Sequence, residues 1–183
     1  MSEPGFIGLK GFLGKLFKVN SFFYFAYMNN EMQSITRSLE NTLSGEPWFG
    51  RPVYDLLEEV DAKIVYTKPN RDSHALVDLL YHMITWAEFT LRRIEGDKEY
   101  DMAASEELDW REINPKTHTW KKGLKELRSI HKRIIQLLEK KEEKFLEEKV
   151  DYRKYNFRFL LNGLIQHNIY HAGQIAYMKK LLE

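Results

Sequence analysis

Across most of this chain the apolar residues recur at intervals of three and four, while alternating runs of Val, Ile and Thr are missing. That spacing lays one apolar stripe along a helix and cannot line one face of a strand, so the chain is all-α. Four long helices follow from it. Helix A spans about residues 21–43, with Phe25, Met28, Met32, Ile35, Leu39 and Leu43 inward and Gly45 as its stop. A connection punctuated by Gly45, Pro47, Gly50 and Pro52 leads into a short helical turn through Val53, Leu56, Leu57 and Val60. Helix B starts at an Asp72 or Ser73 cap and ends near Gly96, with Leu79, His82, Trp86 and Phe89 along one seam. Residues 97–116 have no apolar period and contain Pro115, which predicts a long crossover able to join two parallel helices. Helix C covers about residues 117–141, with Trp120, Leu124, Leu127, His131, Ile134 and Leu138 inward, and the charged run 140–149 reads as its solvated end. Helix D covers about residues 156–182.

The seam of helix D reads Leu160, Leu164, His167, His171, Gln174, Met178, Leu181, which puts two imidazoles one turn apart where a packed core expects leucines. Burying two polar rings without partners costs a few kcal/mol, about the penalty of any unsatisfied amide or hydroxyl, so something must hold them. Histidines at i and i+4 suit two adjacent positions of one metal ion. His82 lies on the seam of helix B and can face them across the core. Three neutral imidazoles would leave positions open for water and substrate, as in a catalytic site, and they accept Zn, Ni, Fe or Mn. The alternative is that the three are hydrogen-bonded core residues or pocket lining, and spacing alone leaves both readings open. Gln174 either holds a bound water or substrate or makes one packing hydrogen bond, and Trp86 either walls the pocket or fills the core. Among the other histidines, His131 reads as a satisfied core residue, His74 as a cap or a partner of a ligand, and His118 as surface.

Composition removes several classes of function. Of 183 residues, 28 are basic and 27 acidic, interspersed to a net charge of +1, so no nucleic-acid footprint is visible. There is no cysteine, which excludes disulfides, thiolate metal sites and a cysteine nucleophile. No N-x-S/T sequon occurs, and the expected location is cytoplasmic. The absence of H-E-x-x-H argues against a metalloprotease, and the absence of any E-x-x-H argues against a ferritin-like di-iron site. Neither a phosphate-binding glycine loop nor a G-x-S-x-G elbow is present. Residues 1–27 form a separate, Phe-rich segment interrupted by Lys10, Lys15 and Lys18, and no apolar run there is long enough to span a bilayer. It reads as an extension of uncertain role before a domain at 28–183, with Met28 a candidate start. A signal or an interfacial arm is the alternative, and only through this segment would a membrane be a partner.

Four segments together resemble the DinB/YfiT-like superfamily of metal-dependent enzymes. Glu46-Pro47-Trp48-Phe49-Gly50 is similar to the family's P-W-h-G turn after the first helix, and HALVDLLYHMITW, residues 74–86, to its second helix with a ligand at His82. Asp109 and Trp110 resemble the D-W of its crossover, and FRFLLNGLIQHNIYHAGQI, residues 157–175, its closing signature with ligands at His167 and His171. Ala75 stands in place of the usual Ser, and Asn162 where a histidine is frequent; neither change removes a ligand. The resemblance implies an up-down-down-up four-helix bundle with a long crossover between helices 2 and 3, a divalent metal on three histidines, and a homodimer. It also implies chemistry with a low-molecular-weight thiol, so the expected activity is a metal-dependent thiol S-transferase acting on a small electrophile. A metal-dependent hydrolase and a non-catalytic metal- or ligand-binding stress-response bundle are the alternatives.

Overall fold

A computed structural model describes residues 31–183. They form six α-helices and a short 3₁₀ helix, and no strand occurs among the described residues. In chain order these are α1 (Glu31–Ser44), α2 (Val53–Glu58), α3 (Leu76–Glu95), α4 (Met102–Leu108), α5 (Trp120–Leu138), the 3₁₀ helix (Glu143–Glu147) and α6 (Phe157–Leu182). The part of helix A that holds Phe25 and Met28, and the segment 1–27, lie outside the described residues. No described helix is long and apolar enough to cross a membrane.

Helix α3 is buried on nearly every face, which makes it the central element; it packs on α4, α5 and α6. Its approach to α5 depends on Gly123, where a Cβ would come within 2.8 Å of the Leu80 side chain. Trp120 closes the same end, its Nε1–H donating to the Leu57 carbonyl of α2 at 3.1 Å. The core draws on all the long helices: Leu39 and Leu43 of α1, Leu76, Leu80, Met83, Ile84 and Phe89 of α3, Leu127 and Ile134 of α5, Leu161 and Ile175 of α6.

Helix limits follow local chemistry. Ala75 is the N-cap of helix α3, its N–H accepted by the Asp78 carboxylate at 2.7 Å, and neither Asp72 nor Ser73 is the cap. It ends on Gly96 at φ 73°, a left-handed residue, as the glycine signal predicts. The hydroxyl of Thr119 accepts the Lys122 N–H to open α5, and the Asn156 side chain accepts the Phe159 N–H to open α6.

Two stretches depart from the reading of the sequence. The crossover 97–116 contains α4, capped by Asp101, whose carboxylate accepts the Ala104 N–H. A seven-residue helix with one buried residue, Ser105, leaves no apolar period to detect. The run 140–149 is more than a solvated helix end, since α5 stops at Leu138 and the chain turns through the 3₁₀ helix. That turn buries Phe145 and Leu146, and the Phe145 ring stacks 4.0 Å from Phe157 at the start of α6. Two apolar residues among ten, otherwise mostly Lys and Glu, were masked by their neighbours.

Candidate metal centre

Helix α3 supplies His82 and helix α6 supplies His167 and His171, and one nitrogen from each ring lies within 4.8 Å of the others. His82 and His171 are buried, and His167 is half-buried. The rings of His167 and His171 are 4.4 Å apart, as expected of an i, i+4 pair. His82 meets His167 through their Nε2 atoms at 3.0 Å.

Each outer nitrogen of two of these rings is fixed. The His82 Nδ1–H donates to Asp109 Oδ1 at 2.6 Å, and the His171 Nδ1–H donates to Gln174 Oε1 at 2.6 Å. Those bonds select the Nδ1–H tautomer and leave both Nε2 lone pairs bare and facing the cluster. Bare lone pairs cannot face one another at 3.0 Å, so either a proton or a cation must sit between His82 and His167. The spacing suits a cation: two nitrogens on adjacent positions of an ion, each about 2.1 Å away, stand about 3.0 Å apart at a right angle. His167 Nδ1 is buried with no hydrogen-bond partner. The donor set is therefore three imidazoles, with no carboxylate among them, and it fits a divalent first-row ion.

Electrostatics keep the rings in the state that ligation requires. Burial lowers the pKa of His167 to about 3 and of His171 to about 4, reinforced by the neighbouring imidazoles. His82 is lowered as well, by burial, with the Asp109 carboxylate pulling the other way. All three are neutral at pH 7, so no imidazolium has to be deprotonated before an ion binds.

The crossover builds the rest of the site. Asp109 is the residue that ends α4, and Trp110 follows it. The hydroxyl of Thr85 donates to the Leu108 carbonyl at 2.9 Å, and Arg111 donates through Nε to the same carbonyl at 2.9 Å and through its guanidinium to Thr85. This clamp fastens the end of α4 to α3 and delivers Asp109 to the ring edge of His82. Trp110 lies flat on the ring face, 4.0 Å away and 14° from parallel. On its other side Trp110 stacks on His74 at 3.8 Å. His82 is thus pinned along one edge and one face.

Each residue singled out in the sequence has a definite place. Gln174 binds His171. Trp86 stands edge-on to His82 and His167 at 6.5 and 6.4 Å, at the border of the cluster. His74 supports Trp110 and contributes no atom to the cluster. His118 is half-buried, its Nδ1 accepting the Asn114 N–H. His131 is a core residue, with the Tyr54 hydroxyl 2.9 Å from Nδ1 and the Asn168 amide nitrogen 3.3 Å from Nε2. The hydrogen bond of Asp109 and the stacking of Trp110 were not read from periodicity, which is blind in a polar crossover; the D-W dipeptide was the available signal.

No curated protein and no solved structure matches the chain. One family does, the DinB superfamily, over residues 51–175. That match takes in α3, the crossover and both histidines of α6, and it covers more than half of the sequence: the chain belongs to the DinB superfamily.

Proposed function

We propose that this protein is a metal-dependent transferase that moves a low-molecular-weight thiol onto a small electrophile, with a divalent ion on His82, His167 and His171. The observation that carries the reading is a cluster of three imidazoles in which Nδ1 of His82 and of His171 is already engaged, with no carboxylate among the donors. When bound, the ion supplies Lewis acidity, which lowers the pKa of a thiol enough to make it a thiolate at neutral pH. A nucleophile ionised in that way needs no side chain as general base. In the net reaction the thiol sulfur forms a bond to carbon, the bond from carbon to the leaving group breaks, that group departs as an anion, and the thiol proton passes to solvent.

The chain's own part is orientation and shielding. Asp109 and Gln174 hold the rings of His82 and His171, Trp110 covers one face of His82, and burial keeps the rings neutral. Asp109 is committed to His82, which leaves no free carboxylate in the cluster; a bound ion would activate water as well as a thiol, so the preference for the transferase over the hydrolase rests on the family resemblance. The reading includes a homodimer, as the family resemblance implies, and a cytoplasmic setting, supported by the absence of cysteine and of N-x-S/T sequons.

The test joins elemental analysis of the purified protein to a thiol-consumption assay with a panel of electrophiles. One equivalent of a first-row metal is expected in the wild type, and a loss of tenfold or more in His82→Ala and His171→Ala. Equal sub-stoichiometric metal in all three would sink the site, and ester or amide turnover without thiol would favour hydrolysis instead. Metal binding should also stabilise the fold by about 2.7 kcal/mol at a free ion concentration 100 times the Kd, read as a higher melting temperature that a chelator reverses.

A further inference from the structure

Beside the histidine cluster, α3 and α6 line an open-sided pocket of about 150 Å³. Trp86 and Thr90 of α3 face Leu160, Gly163, Leu164 and His167 of α6 across it. Its polar groups are largely taken: the Thr90 hydroxyl donates to the Trp86 carbonyl at 2.9 Å, and the His167 Nε2 faces His82. At the rim the rings of Tyr155 and the exposed Phe159 meet at a tilt of 36° with centres 4.9 Å apart. Water gains few hydrogen bonds in such a space, whereas an apolar guest loses none.

Gly163 is what keeps this space open. It lies inside the long helix α6, where glycine is the least favoured residue after proline, yet no neighbour requires the absence of a side chain: a Cβ there would meet nothing within 4 Å. On α6, residues 160, 163, 164 and 167 share one face, so a leucine at 163 would project into the pocket between Leu160 and His167. The larger cavity of about 500 Å³ touches the site through Gln174, whose Oε1 is already bound to His171, and through His74, which backs Trp110, and no histidine of the cluster lines it. The apolar pocket, by contrast, has a cluster histidine as part of its own wall.

We infer that this pocket binds an uncharged apolar group of up to about the size of a benzyl, and that it is the site for the carbon skeleton of the electrophile. An apolar cavity of roughly 150 Å³ takes a benzene-sized guest. The second half of the statement rests on the transferase reading; the first does not. A group seated against Leu160, Leu164 and Trp86 places the carbon that it carries next to His167. Sulfur attacks that carbon with its electron pair, and the leaving group departs with the pair of the broken bond. The reaction is the one already written, with a benzyl-type carbon as acceptor.

Fluorobenzene is the probe, followed by ¹⁹F and ¹H NMR on the full chain, metal-free and zinc-loaded. Saturable binding is expected in both forms, with intermolecular NOEs to the Leu160 and Leu164 methyl groups. Gly163→Leu should weaken binding at least tenfold and Gly163→Ala by much less, with far-UV circular dichroism and zinc content unchanged in both. Wild-type NOEs absent from Leu160 and Leu164 overturn the pocket whatever the variants do, and so does undiminished binding in a folded Gly163→Leu. In the zinc-loaded enzyme, Gly163→Leu should lower kcat/KM for benzyl chloride at least tenfold relative to allyl chloride; an unchanged ratio overturns the electrophile assignment. Fluorobenzene bound with those NOEs to a protein that consumes no thiol upholds the pocket and removes the transferase. Thiol transfer without fluorobenzene binding does the reverse.

Discussion

Asp109 shows how much one side chain outside the donor set can decide. Its carboxylate accepts the His82 Nδ1–H at 2.6 Å and thereby fixes which nitrogen of that ring faces the cluster. Trp110, the next residue, prevents the ring from tilting. Groups of this kind typically govern metal affinity by about 10- to 100-fold. Asp109→Asn keeps the shape and removes the charge, so a loss of zinc affinity of about tenfold is expected by chelator competition, with the helical content unchanged. Undiminished affinity would mean that the carboxylate only packs. His82, His167 and His171 could be named from the sequence because heptad position is a local property. The partner of His82 could not, because 27 residues separate it from Asp109 and no spacing rule spans a crossover.

At the level of elements, α6 carries two of the three site histidines, so anything that frays its start also loosens the site. Asn156 caps it by accepting the Phe159 N–H at 3.1 Å, and Phe157 stacks on Phe145 in the preceding 3₁₀ helix. Asn156→Ala should cost about 1 kcal/mol, measured by urea denaturation, which is the usual penalty for a lost N-cap. A change of less than about 0.3 kcal/mol would show that the Phe145–Phe157 stack defines the helix start alone. The long helices were legible because their stripes repeat over about four turns or more. The crossover helix α4 and the 3₁₀ turn were not, since one or two buried residues make no period.

Acid stability belongs to the whole molecule, because it sums over every histidine that the fold keeps neutral. Burial holds His131 at a pKa of about 3, with Tyr54 and Asn168 against its two nitrogens. In the unfolded chain it titrates near 6.5. Between those values the unfolded state binds the proton and the native state does not, so stability is full above pH 6.5 and falls as the pH drops toward 3. His171 and His167, at about 4 and about 3 in the metal-free protein, act in the same direction. Each unit of depression corresponds to about 1.4 kcal/mol. The urea midpoint of metal-free protein is therefore expected to fall steadily from pH 6.5 to pH 4. His131→Gln, which keeps an amide near Asn168, should flatten that slope, and a parallel slope in the variant would contradict the assignment.

The sequence by itself determined the helical class, most helix limits and the three histidines that the fold brings together, because periodicity, caps and i, i+4 neighbours are properties of a short stretch of chain. The match to the DinB superfamily belongs to the sequence too. Only the tertiary structure decided that Asp109 and Trp110 fasten His82 and set its tautomer, and that the gap at Gly163 opens beside His167. Those outcomes depend on how α3, α6 and the crossover dock, and docking is set by shape and hydrogen-bond partners drawn from distant parts of the chain.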